Sequence, residues 1–177
     1  MRRALLAHPA TPPGADIRIE AELARAGEVL ALACVVTGEI GRLLIAAPAA
    51  PDRLDGLWRT TCFEAFLQGV DGGPYVELNF SPSGAWAAYR FSAPREGMTA
   101  AALSHPPRIE TLRAADRFDL AAGVALTEPL LAETPWRVGL SAVIEETDGR
   151  KSYFALTHPS GKPDFHDSRG FVFEVIP

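Results

Sequence analysis

The 177-residue sequence predicts an antiparallel all-β sandwich, jelly-roll-like, of about ten short strands with little or no helix. Three observations point there. Apolar residues alternate with period two in short segments, turn signals recur about every 8 to 12 residues, and helical periodicity is nearly absent.

Residues 1–15, rich in Pro and Ala, are expected to form an extended, loosely held lead-in, with residues 16–177 as a single domain. Residues 16–23 put Ile17, Ile19, Ala21 and Leu23 on one face of a first strand. A turn at 25–27 leads into 29–37, a run too continuously apolar to expose either face and so expected to be a central strand. Residues 39–46 read as another strand, and 46–55 as a loop whose prolines exclude a helix.

The stretch from Asp55 to Phe91 carries the most chemistry. From Trp58 onward, alternation gives one face to Trp58, Thr60, Cys62, Glu64 and Phe66, and a core face to Phe63, Ala65 and Leu67. The next strand splits into Tyr75, Glu77, Asn79 and Ser81 against Val76, Leu78 and Phe80, which puts Glu77 and Asn79 away from the core. Ser81-Pro-Ser-Gly84 has turn chemistry and predicts a hairpin with residues 84–91. Two registers are open. A two-residue loop pairs Asn79 with Trp86 and keeps the Trp ring on the polar face, whereas a longer loop with Gly84 in a bulge pairs Phe80 with Trp86 and turns the ring inward.

Residues 92–107 are too rich in Pro and Gly for regular structure, and strands resume at 108–114 and 118–126. Residues 126–133 are compatible with one helical turn starting at Pro129. A strand over 136–145, a turn at 147–150 and a partner strand over 151–156 follow, then a long loop, 158–170, and a closing strand at 171–175. A loop of that length without its own structure is functional or disordered, and its residues do not look disordered.

Composition narrows the function. A chain that is 47% hydrophobic and 22% charged is enough for one well-buried domain. A net charge of −5 without any Lys/Arg cluster argues against nucleic acid and against an anionic membrane as partner. No run reaches the ~18 apolar residues of a membrane span, and the Met1 to Pro9 stretch falls short of the about 7 to 15 of a signal-peptide core. A cytoplasmic location is the expectation. Cys34 and Cys62 sit in apolar alternating segments and read as reduced core thiols.

Flat rings beside hydrogen-bonding tips suit a polar, ring-shaped ligand. The candidates are Trp58 and Trp86 as stacking faces, with Glu64, Glu77, Asn79 and Arg90 around them, and Lys162, Phe165 and His166 from the long loop. Glu64 on a mostly apolar strand needs a partner, for which Arg59, Arg90 and Lys162 are candidates. Glu64 and Glu77 invite comparison with the carboxyl pair of a glycoside hydrolase, but nothing in the sequence marks either for a raised pKa, so the domain reads as non-catalytic. His158, Asp164, His166 and Asp167 read as loop anchors rather than as a metal site, since no Cys or close His pair accompanies them. No phosphate loop, nucleophile elbow or Cys/His catalytic pair is present.

Three motifs carry a resemblance: Leu57-Trp-Arg-x-x-Cys-Phe-Glu64, Asn79-Phe-Ser-Pro-Ser-Gly-x-Trp-x-x-Tyr-Arg-Phe91 and Lys162-Pro-Asp-Phe-His166. Through them the chain resembles bacterial DOMON-like proteins, which are similar to family 9 carbohydrate-binding modules. The resemblance implies a β-sandwich that binds a small polar ligand, foremost a saccharide, with no cofactor. Trp58 and Glu64 have the spacing of a Trp and an acidic residue of the sugar cleft in those modules. A second, C-terminal Trp of that cleft has no counterpart here, and Phe165 or Tyr153 would have to stand in for it. Other branches of the superfamily bind haem, which implies as alternative a redox domain with Met98 and either His158 or His166 as axial pair. A protein-interaction module without small ligand is a third reading.

Overall fold

The computed structural model describes residues 2–127 and 135–176. Twelve strands form in the order β1 (Arg3–Ala7), β2 (Ile17–Ala26), β3 (Val29–Gly38), β4 (Cys62–Gly69), β5 (Tyr75–Phe80), β6 (Trp86–Phe91), β7 (Thr99–Ala100), β8 (Arg108–Arg113), β9 (Arg117–Ala125), β10 (Trp136–Glu145), β11 (Lys151–Ala155) and β12 (Phe173–Val175). Every strand pairing is antiparallel. Among the described residues there is no α-helix, only three short 3-10 turns. The fold is the all-β sandwich that the alternation predicts. The helical turn expected at 126–133 falls mostly outside the described residues.

One sheet runs β7-β6-β5-β4-β10-β11, and the other runs β1-β2-β3-β9-β8. β12 shares an edge of β10 with β11, pairing over Trp136 to Val138 where β11 pairs over Ser141 to Glu145. The two sheets are joined by β1. Its first half pairs with β2 at Leu5↔Ile19, and its second half with β11 at Leu6↔Ala155. Part of the N-terminal lead-in expected to be loosely held, Arg3–Ala7, is thus a strand, with Leu5 buried between the sheets and the backbone bonded on both sides.

Elsewhere the structure redraws some boundaries. Residues 39–46 hold a 3-10 turn, Ile40–Arg42, and a single bridge, Leu43↔Glu146, instead of a strand. The strand expected from Trp58 begins only at Cys62, because Gly56 takes φ 79 and starts a 3-10 turn over Leu57–Arg59. β3 is central, between β2 and β9, but its Val29 and Ala31 are exposed, so one face stays partly open. The main core lies between the sheets, where Phe63 of β4 stacks on Phe118 of β9 with ring centroids 6.1 Å apart. Both cysteines are free and buried there or beneath the outer face of the first sheet.

Two glycines in sheet strands offer a contrast. A Cβ at Gly139 of β10 would lie 2.7 Å from the Phe171 ring, whereas one at Gly123 of β9 would meet nothing within 4 Å. Gly139→Ala should therefore lose about 1–3 kcal/mol of stability by overpacking. Gly123→Ala should be neutral or gain about 0.4–1 kcal/mol through the unfolded chain. Urea unfolding midpoints check both, and equal midpoints would contradict the close approach of Phe171 to β10.

Candidate functional site

The registers of the first sheet line up one set of side chains on its outer face. Glu64 lies opposite Asn79 and Ser141, Phe66 opposite Glu77 and Gly139, Tyr89 opposite Glu77, and Phe91 opposite Tyr75. This face is largely covered. Phe66, Tyr75, Ala87, Tyr89, Phe91 and Phe171 form a second apolar cluster on it, with Leu57 and Phe165 packed alongside.

Over that cluster opens a cavity of about 320 Å³. β4 gives it Glu64 and Phe66, β5 Glu77, β6 Tyr89 and Phe91, β10 Val143 and β11 Tyr153. Loops supply the rim: Trp58 from the 3-10 turn, Arg95 and Met98 from the β6–β7 connection, and Pro163, Phe165 and His166 from the long loop after β11. Trp58 is 40% exposed and meets the Tyr89 ring edge to face at 6.2 Å. The Tyr89 hydroxyl donates to Asp55 Oδ1 at 2.7 Å, tying the segment before Trp58 to β6.

Two carboxyls sit on the floor. Glu64 is 3% exposed; Ser141 Oγ donates to its Oε2 at 3.3 Å, and its Oε1 has no hydrogen-bond partner. Glu77 Oε1 accepts from Asn79 Nδ2 at 2.6 Å, and its Oε2 lies 3.7 Å from His166 Nε2. Burial, with the Glu77 charge second, pushes the Glu64 carboxyl well above its ordinary range. Burial also raises Glu77, against the Asn79 hydrogen bond and the positive charge of Arg95. Like charges so close in one buried site disfavour double ionisation.

His166 is held by both ring neighbours and backbone. The Arg95 backbone N–H donates to the Tyr75 hydroxyl at 3.2 Å, and that hydroxyl shares a hydrogen bond of 2.6 Å with His166 Nδ1. The other ring nitrogen, Nε2, faces Glu77. Burial first, and then Arg95, lower the His166 pKa to about 4, so the ring is neutral and its 3.7 Å approach to Glu77 is no ion pair. Asp164 Oδ1 anchors the loop, accepting from the His166 backbone N–H at 3.0 Å and from Arg95 Nη2 at 2.8 Å. Asp167 accepts from Arg169 in the same manner, at its backbone N–H.

Of the residues singled out from sequence, Trp58, Glu64, Glu77, Phe165 and His166 line the cavity. Asn79 is fully buried behind it, bonded to Glu77 and to the Cys62 thiol at 3.6 Å. The other three lie elsewhere. Phe80 pairs with Trp86, which is the inward register, so Trp86 packs against the main core. That register also makes Arg90 alternate with Tyr89 and Phe91, so it leaves the outer face and is exposed. Lys162 is exposed in a neighbouring groove with Arg95, Asp164 and Arg169. None of Arg59, Arg90 and Lys162 partners Glu64; the hydroxyl of Ser141 does.

The sequence reading missed Tyr89, Phe91, Arg95 and Val143 as wall residues. For Tyr89 and Phe91 the signal was the hairpin register; for Arg95, at φ 63 in an irregular connection, no sequence signal exists. The residues named for haem fit that group poorly: His166 has Nδ1 bonded and Nε2 toward a carboxyl, His158 Nε2 bonds the Leu6 carbonyl at 2.8 Å, and Met98 is 56% exposed. Among the described residues, no three His, Cys, Asp or Glu side chains are grouped so as to hold a metal ion.

No family model matches the sequence, and no curated protein does. The fold, however, is similar to solved structures. One is a candidate carbohydrate-binding protein from Bacteroides uniformis, with 11% identity over 99% of this chain and 85% of that one, at a TM-score of 0.64. Another is a family 9 carbohydrate-binding module from Caldicellulosiruptor kristjanssonii in complex with cellotriose, with 14% identity over 99% and 81%, at 0.60. A module of the same family and organism in complex with glucose gives 12% identity over 97% and 83%, at 0.55. The similarity in fold to family 9 modules is the one that the motifs implied.

Glu64 makes a stability prediction with a definite sign. Its folded-state pKa lies above its ordinary value of 4.5, so its contribution to stability is complete below that pH and is lost as pH rises through the folded value. Glu64→Gln removes this loss. The melting temperature of the variant relative to the wild type should climb as pH is raised from about 4, and a flat difference across the pH series would mean that Glu64 is not buried as described.

Proposed function

We propose that this domain is a non-catalytic binder of a small saccharide, seated in the cavity on the outer face of the first sheet. The observation that carries the reading is Glu64 Oε1: a buried acceptor without a partner, in a cavity walled by aromatic rings. Leaving such an atom unmet costs about 1–3 kcal/mol, and its carboxyl group lies on the cavity floor beside Glu77. Trp58, half open at the rim, offers a face for the apolar side of a sugar ring. A volume of about 320 Å³ lies at the lower end of small-molecule sites, which fits one or two sugar units. The structural neighbours described as binding carbohydrate add support at the level of fold.

The non-catalytic reading is supported by the tie of Glu77 to Asn79 and by structural neighbours described as carbohydrate-binding.

A thermal-shift panel of mono- and disaccharides tests the reading. A ligand at about a hundred times its dissociation constant should add roughly 2.7 kcal/mol, a shift of a few degrees. Trp58→Ala should weaken the hit at least about tenfold while changing stability by no more than ~0.5 kcal/mol, since the ring is at the surface. Should Trp58→Ala bind as tightly as the wild type, this site is the wrong one.

A further inference from the structure

Resting on the saccharide reading, we infer that the preferred ligand bears a free amine: a sugar whose ammonium group sits against the Glu64 and Glu77 side chains within the aromatic walls. The cavity floor holds two acidic groups with one oxygen wholly unpartnered. Among the described residues neither carboxyl is ion-paired to a Lys or Arg, and Arg95 acts on them only through space. Arg95, the only guanidinium in the wall among the described residues, is ion-paired to Asp164 at 2.8 Å with most of its side chain exposed. A hydroxyl brings one donor and no charge, whereas an ammonium brings three donors and a positive charge. Only the second lets both carboxyls ionise together. The rings of Trp58, Phe66, Tyr89, Phe91, Tyr153 and Phe165 around the same space attract a cation further.

The groups facing the pair have been placed from every side: Ser141 on β10, Tyr75 on β5, Tyr89 on β6, Tyr153 on β11, Cys62 on β4, and Arg95, Asp164 and His166 from the loops. Tyr75, Tyr89 and Cys62 are pushed up by burial and His166 is lowered to about 4, while burial raises both carboxyls above their ordinary range. In the empty cavity they favour retaining a proton. Ammonium binding therefore releases a proton to the buffer, and affinity rises with pH until the amine itself loses its charge.

Isothermal titration calorimetry tests this with glucosamine, galactosamine and mannosamine, each against its parent hexose and its N-acetyl form, in two buffers of different ionisation enthalpy. At least one amine should bind roughly tenfold or more tighter than both of its neutral counterparts, with an apparent enthalpy that differs between buffers. Glu77→Gln should collapse the amine-to-hexose ratio toward one, whatever happens to absolute affinity, and Glu77→Asp should keep most of it. If every parent hexose binds as well as its amine, the inference falls and the saccharide reading stands. If no sugar binds at all, both fall. An amine preference that survives in Glu77→Gln, or that comes without proton release, overturns the placement of the ammonium.

Discussion

A buried carboxylate oxygen with nothing to bond it is the constraint around which the first sheet is arranged. Glu64 stands on β4 between β5 and β10, where the strand alternation that buries Phe63, Ala65 and Leu67 in the core turns Glu64 and Phe66 to the opposite face. On an ordinary sandwich that face would be wet, and the carboxyl would be solvated. Here the face is covered by rings, so the carboxyl is desolvated but not paired. Everything that makes the site, from the raised carboxyls to the neutral imidazole, follows from covering the outer face of a sheet without filling it.

The cover is built by two connections that lock each other. Tyr75 is the pivot: its ring stacks on Phe91 at 5.0 Å, and its hydroxyl accepts from the Arg95 backbone and is hydrogen-bonded to His166 Nδ1. Arg95 then reaches Asp164, which also holds the His166 backbone. The β6–β7 connection and the long loop after β11 are thereby fixed to the same strand residue. Irregular segments held at three points present a preorganised wall, so less ordering remains to be done when a ligand arrives.

How much of this was legible in the sequence turned on period two. Alternation placed Glu64, Phe66, Glu77 and Asn79 on one face because each lies within a strand whose other face is continuously apolar. It failed where backbone geometry breaks the period. Gly56 at φ 79 removes Trp58 from β4, yet the resulting 3-10 turn returns the ring to the same cavity, so the residue was found by a rule that does not apply to it. The β5–β6 hairpin shows the cost of one residue of register. Of the two pairings open to it, the one taken, Phe80↔Trp86, exchanges Trp86 and Arg90 for Tyr89 and Phe91 on the outer face. The wall residues drawn from loops had no pattern to betray them, because their positions depend on hydrogen bonds between segments distant in sequence. For β1, the prolines after it masked a five-residue strand that holds the two sheets together.

A site of this kind works against its own scaffold. Two buried acidic groups and an unmet oxygen lower the stability of the empty protein, and a domain with marginal stability tolerates only a few such terms. The opposing contributions lie on the other side of the same strands. Phe63, Leu67, Val76, Leu78 and Phe80 are wholly buried between the sheets, each worth roughly 1.5–3 kcal/mol, directly beneath the residues that form the cavity floor. Because odd and even positions of one strand face opposite ways, the chain can make β4 and β5 strongly apolar for folding and locally acidic for binding without conflict in sequence. The destabilised face is thus placed on strands anchored from their other side, which holds the acidic floor in place beneath the rim of Trp58, Met98 and Phe165.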